Sequence, residues 1–148
     1  MTKLSGEHEP GAWAWVNEQV EAYEASDGQE ANTLQGTAYP IIVVSTRGAR
    51  TGHVRKFGLM KVEHDGEYAL VASKGGMPEH PAWYHNLVAH PDDVVIQDGA
   101  ERFAVHVEQV EGEERQVWWD RSVAAYPDYA TYQANTDRTI PVFVARRS

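Results

Sequence analysis

Two Asp-Gly pairs, Asp65-Gly66 and Asp98-Gly99, each stand between runs rich in β-branched and aromatic residues. Asp-Gly is a strong local hairpin signal, because both residues tolerate the positive φ that matches a two-residue turn to the twist of its strands. The first pair joins VRKFGLMKVEH (54–64) to EYALVAS (67–73), and the second joins DVVIQ (93–97) to ERFAVHVEQV (101–110). YPIIVVST (39–46) enters the first hairpin through the glycine-bracketed turn RGARTG, and TIPVFVA (139–145) supplies a last extended run. Hairpins enforce antiparallel pairing. Six short strands with long apolar runs therefore predict a sheet that closes into a small barrel, not an open parallel sheet.

Helices fill the gaps. Trp13, Val16, Val20 and Tyr23 recur at helical spacing, which predicts an amphipathic N-terminal helix over residues 9–27, ended by Asp27-Gly28. A short helix is expected from His80 to Ala89, with Pro81 in its first turn and Pro91 just past its end. Residues 111–126 read as a third helix, and DYATYQANT as helix or turn.

With 148 residues and 42% hydrophobic content, residues 1–148 make one domain with a real core. No run approaches the roughly 18 apolar residues of a membrane span, and MTKLSGEHEP lacks the apolar segment of a secretion signal, so a cytoplasmic protein is expected. The absence of cysteine excludes disulfides and thiol chemistry. A net charge of −9 argues against nucleic acid as a partner, since phosphate backbones are bound by lysine and arginine. The basic residues are nevertheless clustered: Arg47, Arg50, Arg55, Lys56 and Lys61 share a stretch without acids, and Lys74 follows. Such an island suits a small anionic ligand; the alternative is a solvated face that balances acids elsewhere.

No metal site is expected. His80, His85 and His90 are five apart, so on a helix each is turned by about 140° from the last. There is no H-E-x-x-H, no G-x-S-x-G elbow, and GARTG matches neither a Walker loop nor a dinucleotide fingerprint. It does offer exposed N–H groups and an arginine, the ingredients of an anion concavity. Tyr126, Tyr129 and Tyr132 lie three apart and either line a pocket with hydroxyl donors or simply pack on the core. Trp118-Trp119 reads as core.

Taken together, STRGARTG…RKFGLM, VASKGGMPEHPAWYHNL and YPDYATYQANTDRTIPVFV resemble the deazaflavin-dependent nitroreductase family, relatives of the FMN-binding split β-barrel proteins. The similarity spans residues 38–146. It implies an α+β, six-stranded, mostly antiparallel split barrel with flanking helices, and coenzyme F-420 as cofactor: a planar 8-hydroxy-5-deazaflavin with an anionic phosphate and glutamyl tail. The family pattern would place Ala49, Arg50, Thr51, Arg55 and Lys56 near that anionic part, with Phe57, Gly58, Leu59 and Met60 running towards the ring. Val71, Ala72, Ser73 and Lys74 would meet the cofactor from the strand end, and Ala82, Trp83, Tyr84, His85 and Asn86 from the helix after it. Tyr129 would lie nearest the ring as the catalytic donor, with Ser73 beside it, and Met60, Tyr126 and Tyr132 would face the substrate. The chain departs from the family at Met60, where several members carry an aromatic, and in an acidic first helix where some carry a basic, membrane-seeking one.

The activity so implied is hydride transfer from reduced deazaflavin to a small electron-poor acceptor: a quinone, a nitroaromatic or an activated enone. Two alternatives stay open, an FMN enzyme of the pyridoxamine-phosphate-oxidase kind and a non-catalytic deazaflavin carrier. Peripheral attachment to a membrane through the first helix is the weaker reading, because its polar face is rich in glutamate.

Overall fold

The computed structural model describes residues 3–148. The elements are α1 (Ala14–Ala25), β1 (Ile41–Arg47), β2 (Val54–Met60), β3 (Glu63–His64), β4 (Glu67–Val71), α2 (Ala82–Ala89), β5 (Val94–Asp98), β6 (Glu101–Gln109), α3 (Gly112–Ala125), α4 (Asp128–Ala134) and β7 (Val142–Arg147). They form one sheet in the order β2-β1-β5-β6-β7-β4-β3, with every neighbouring strand pair antiparallel. β2 and β3 are consecutive in the chain yet occupy opposite edges. The run expected as one strand, 54–64, is thus divided, and six expected strands become seven. Its backbone changes partner midway: the Lys61 amide donates to the Pro40 carbonyl (3.0 Å), and the Val62 carbonyl accepts from the Ala69 amide (2.9 Å). A strand that crosses the seam of a curled sheet cannot keep one neighbour along its whole length, and this crossing closes the half-barrel.

Both turns form. Asp65 and Gly66 take positive φ values of 52° and 81° between the paired residues His64 and Glu67, as a type I′ turn requires. In the second hairpin Asp98 pairs with Glu101, so the turn is Gly99-Ala100, one residue later than the Asp-Gly signal places it.

Strand alternation builds two apolar layers. Ile42, Val44, Leu70, Ile96, Val105 and Phe143 point into the barrel, where Leu87 of α2 joins them. Val43, Met60, Ala69, Val71 and Val144 face outward and are covered by Tyr23 of α1, Trp118 of α3 and Tyr129 of α4.

α1 is shorter than the expected 9–27. Residues 7–9 are instead extended along β2: the Glu7 carbonyl accepts from the Val54 amide (2.7 Å), and the Glu9 amide donates to the Val54 carbonyl (2.8 Å). Pro10-Gly11 then separates strap from helix, and Asn17 closes the corner by bonding both the amide (3.1 Å) and the carbonyl (2.8 Å) of Gly11. β7 begins at Val142, not at 139, because Pro141 has no N–H to donate and the Ile140 amide is taken by the Gln133 side chain (3.0 Å).

A 3-10 turn, Lys74–Gly76, leaves β4 with three successive positive φ values, 47°, 62° and 82°. A Cβ on Gly76 would lie 2.7 Å from the Tyr132 carbonyl oxygen, whereas one on Gly75 would meet open space. Gly76 is what lets the α4 backbone sit against the turn. Gly76→Ala should therefore destabilise by roughly 3 kcal/mol, combining left-handed strain with a backbone clash, and Gly75→Ala by about 1 kcal/mol from strain alone. Urea unfolding midpoints of the two variants check this; equal losses would show that the α4 contact is not tight.

Candidate functional site

A cavity of about 990 Å³ opens between the N-terminal segment, the turn after β1, β2, Lys74 and α2. Of the residues the family pattern assigns to the cofactor, Ala49, Arg50 and Thr51 line it from the turn, Arg55, Lys56 and Phe57 from β2, and Ala82, Trp83, His85 and Asn86 from α2. Lys74 stands at its edge. The rings of Phe57 and Trp83 are stacked, 4.8 Å between centroids and 12° between planes, which gives the cavity a flat apolar wall. The turn is braced from beneath: the Asn86 side chain accepts from the Ala49 amide (2.9 Å) and donates to the Thr46 hydroxyl (3.2 Å).

Other assigned residues lie apart. Gly58 faces α1, Leu59 and Tyr84 pack against the barrel interior, and Val71 and Ala72 are buried at the end of β4. Met60, Tyr126 and Tyr129 share the outer apolar layer, with Tyr132 packed on it. The three tyrosine rings are mutually 5.0–6.3 Å apart, and the Tyr126 and Tyr132 hydroxyls are hydrogen-bonded at 3.0 Å. Burial pushes the Tyr129 phenol far above its ordinary value, so it stays protonated, and among the described residues its hydroxyl makes no hydrogen bond. Ser73, itself buried, begins the left-handed turn that lies between the cavity and this tyrosine cluster.

The basic island divides into two groups. Arg47 bonds Asp93 (3.1 Å) and the Gly52 and Ser5 carbonyls, and Lys61 bonds Asp98 (2.9 Å); neither lines the cavity. These two are structural. The cavity keeps Arg50, Arg55, Lys56 and Lys74, and among the described residues Arg50 has no ion-pair partner. Arg55 is held by Glu9 (3.0 Å), whose carboxylate also accepts from Thr51 Oγ1 (3.3 Å) and lies 3.1 Å from His53 Nδ1. The His53 hydrogen bond, with Arg55 beside it, holds the Glu9 carboxyl below its ordinary range. Lys56 bonds Glu24 of α1 (2.9 Å). Glu9, Trp13, Val16 and Asn17 therefore complete the cavity wall, a contribution the sequence reading missed. Its one available signal was charge complementarity between a glutamate-rich first segment and the basic strand.

The family model for "F420H(2)-dependent quinone reductase" matches residues 15–147. This chain belongs to that family. An F420H(2)-dependent quinone reductase of Mycobacterium tuberculosis is 36% identical over 128 residues, covering 84% of this chain and 85% of the relative. Among solved structures, an F420-H2 dependent reductase (FDR-A) is 50% identical, covers 72% of this chain and 94% of its own, and superposes with a TM-score of 0.69. Another, described as a domain-swapped dimer, is 46% identical over 89% of this chain and 97% of its own, with a TM-score of 0.72.

One further residue, behind the turn that carries Lys74, lay unassigned within the motif T-D-R-T-I-P. Arg138 donates to the carbonyls of Ala72 (3.1 Å), Ser73 (2.7 Å) and Met77 (2.9 Å), and its Nη1 lies 3.2 Å from His80 Nδ1. Burial, and then the charge of Arg138, push the His80 imidazole below its ordinary value, which suits a neutral ring accepting from the guanidinium. One planar fork thus meets the Ala72 and Met77 carbonyls and gives the Ser73 carbonyl, which already accepts from the Gly76 amide (3.0 Å), a second donor. Arg138→Lys should not rescue Arg138→Ala, since one ammonium cannot span three carbonyls. Both variants are expected to lose about 2–3 kcal/mol in denaturant unfolding, and full rescue by lysine would reduce the contact to simple charge.

Proposed function

We propose that this chain is a coenzyme F-420-dependent quinone reductase, and that the 990 Å³ cavity is where the cofactor is held. The observation that carries the reading is a single cavity with a flat stacked wall, Phe57 on Trp83, and a cationic rim of Arg50, Arg55, Lys56 and Lys74. That donor set fits a ligand planar at one end and anionic at the other. The rim would take the phosphate and glutamyl carboxylates through charge-assisted hydrogen bonds. When bound, the deazaflavin supplies the hydride chemistry, and the protein supplies orientation, a dry surface and proton donors.

This chain's own residues have three tasks in that reading. Arg138 and Gly76 fix the turn that presents Ser73 and Lys74. Across the turn from the cavity, the cluster of Met60, Tyr126, Tyr129 and Tyr132 forms the apolar acceptor side. Tyr129, protonated and with its hydroxyl unbonded among the described residues, donates to the charge that develops on the acceptor oxygen. No helix among the described residues is long and apolar enough to cross a membrane.

Mixing the protein with reduced F-420 and a soluble quinone should regenerate the oxidised chromophore; no turnover with quinone, nitroaromatic or enone acceptors would remove the reading. In the same assay Tyr129→Phe should leave cofactor affinity nearly intact and slow turnover, and an unchanged rate would return the residue to packing.

Glu9 already neutralises Arg55, so an incoming anionic tail competes with it. Opposite effects are therefore expected in a cofactor titration. Lys74→Ala should weaken binding by about 1.5–3 kcal/mol, the worth of a charged hydrogen bond. Glu9→Gln should tighten it several-fold, and the gain should shrink as salt screens the competition. FMN, which has no glutamyl tail, should respond less to either change.

A further inference from the structure

A second cavity, of about 320 Å³, lies on the outer face of the sheet beneath the N-terminal segment. Its floor is a square of four side chains: Val43 and Ser45 on β1 against Gln97 and Val95 on β5, paired in that register. Residues 3–6 close it from the N-terminal side, and Lys56 and Arg102 stand at its flanks.

The polar groups in this floor are not satisfied. Gln97 is 3% exposed; its amide nitrogen donates to the Gly99 carbonyl (2.9 Å), but its Oε1 is buried with no partner among the described residues. Ser45 is 8% exposed, and its hydroxyl makes no hydrogen bond among the described residues. Arg102 donates from Nη2 to the Glu24 carbonyl (3.1 Å), while its Nε is also buried without a partner. Buried polar groups are ordinarily paired, because an unmet acceptor or donor forfeits its hydration for nothing. The rest of the surface, Val43, Val54 and Val95, is apolar.

Charge narrows the ligand further. Lys3, Lys56 and Arg102 line the cavity against Glu24, which Lys56 bonds at 2.9 Å, and Asp27 lies 3.9 Å from Arg102 outside it. One positive charge remains in excess. Burial, followed by the charge of Lys56, pushes the His8 imidazole below its ordinary value, so His8 adds no further charge near neutral pH.

We propose that this cavity binds a small hydroxy-carboxylate with an apolar body. The carboxylate meets Lys3 and Arg102, the hydroxyl donates to Gln97 Oε1, and the body rests on Val43, Val54 and Val95. The site is separate from the 990 Å³ cavity and does not depend on what that cavity holds, although Lys56 borders both.

Mandelate carries all three features and is the probe of choice; phenylacetate lacks the hydroxyl and methyl mandelate lacks the charge. In an NMR titration of the isotope-labelled full chain, mandelate should saturably shift the Gln97 side-chain amide and the backbone amides of Val43, Ser45 and Val95. Each control should bind about tenfold more weakly, the loss of one hydrogen bond to a buried acceptor or of one charged contact. Lys3→Ala, at an exposed position that spares the fold, should weaken mandelate several-fold with an unchanged melting temperature. No saturable shift at millimolar mandelate, equal binding of phenylacetate, or indifference to Lys3→Ala would each overturn the proposal and leave a cavity filled by water.

Discussion

The structure hangs on the passage of one extended run across the seam of the sheet. Residues 54–60 are paired with β1 at one edge, and residues 62–64 with β4 at the other, with Lys61 and Val62 as the hinge. Because the run belongs to both edges, the sheet must curl until they meet, and the curl separates an inner apolar layer from an outer one. A residue's place on β2 thereby decides its environment. Phe57 turns to the stacked wall of the large cavity, while Met60, three positions on, lies among the tyrosines of the outer layer.

The left-handed turn after β4 joins these two regions. It holds three consecutive residues at positive φ, which Gly75 and Gly76 adopt freely but which strains Lys74, and such strain persists only where surrounding contacts over-determine it. Arg138 supplies those contacts from the opposite end of the chain, binding three carbonyls of the turn and its flanks, and Gly76 admits the α4 backbone. Lys74 is thus aimed at the cavity in part by Arg138, a residue more than sixty positions away. Its side chain is half-exposed and only loosely paired to Glu79 at 3.6 Å, which leaves it able to exchange that partner for a ligand.

The N-terminal segment performs two electrostatic tasks at once. As a strap along Val54 it brings Glu9 to Arg55, and as helix α1 it brings Glu24 to Lys56. An acidic protein has in this way screened a basic strand with its own carboxylates. The pairs are partly exposed, so each is worth little to stability. Their larger effect is on what else can approach the strand: an anion must match or displace a carboxylate already in place.

Much of this was legible in the residues. The Asp-Gly pairs, the β-branched runs and the spacing of Val20 and Tyr23 depend on local φ preference and periodicity, which act over a few residues, so the antiparallel class and the helices could be read directly. The motifs likewise brought Arg55, Lys74 and Trp83 into one expected group, and all three line the large cavity. The division of the 54–64 run, the strap at residues 7–9, the partners of Arg138 and the unsatisfied Gln97 were decided by tertiary structure alone. Each depends on which distant backbone offers a hydrogen-bond partner, and that is settled only when the sheet closes. Sequence determined which segments could be strands and which side chains were charged; closure decided which of those charges would meet one another and which would be left for a ligand.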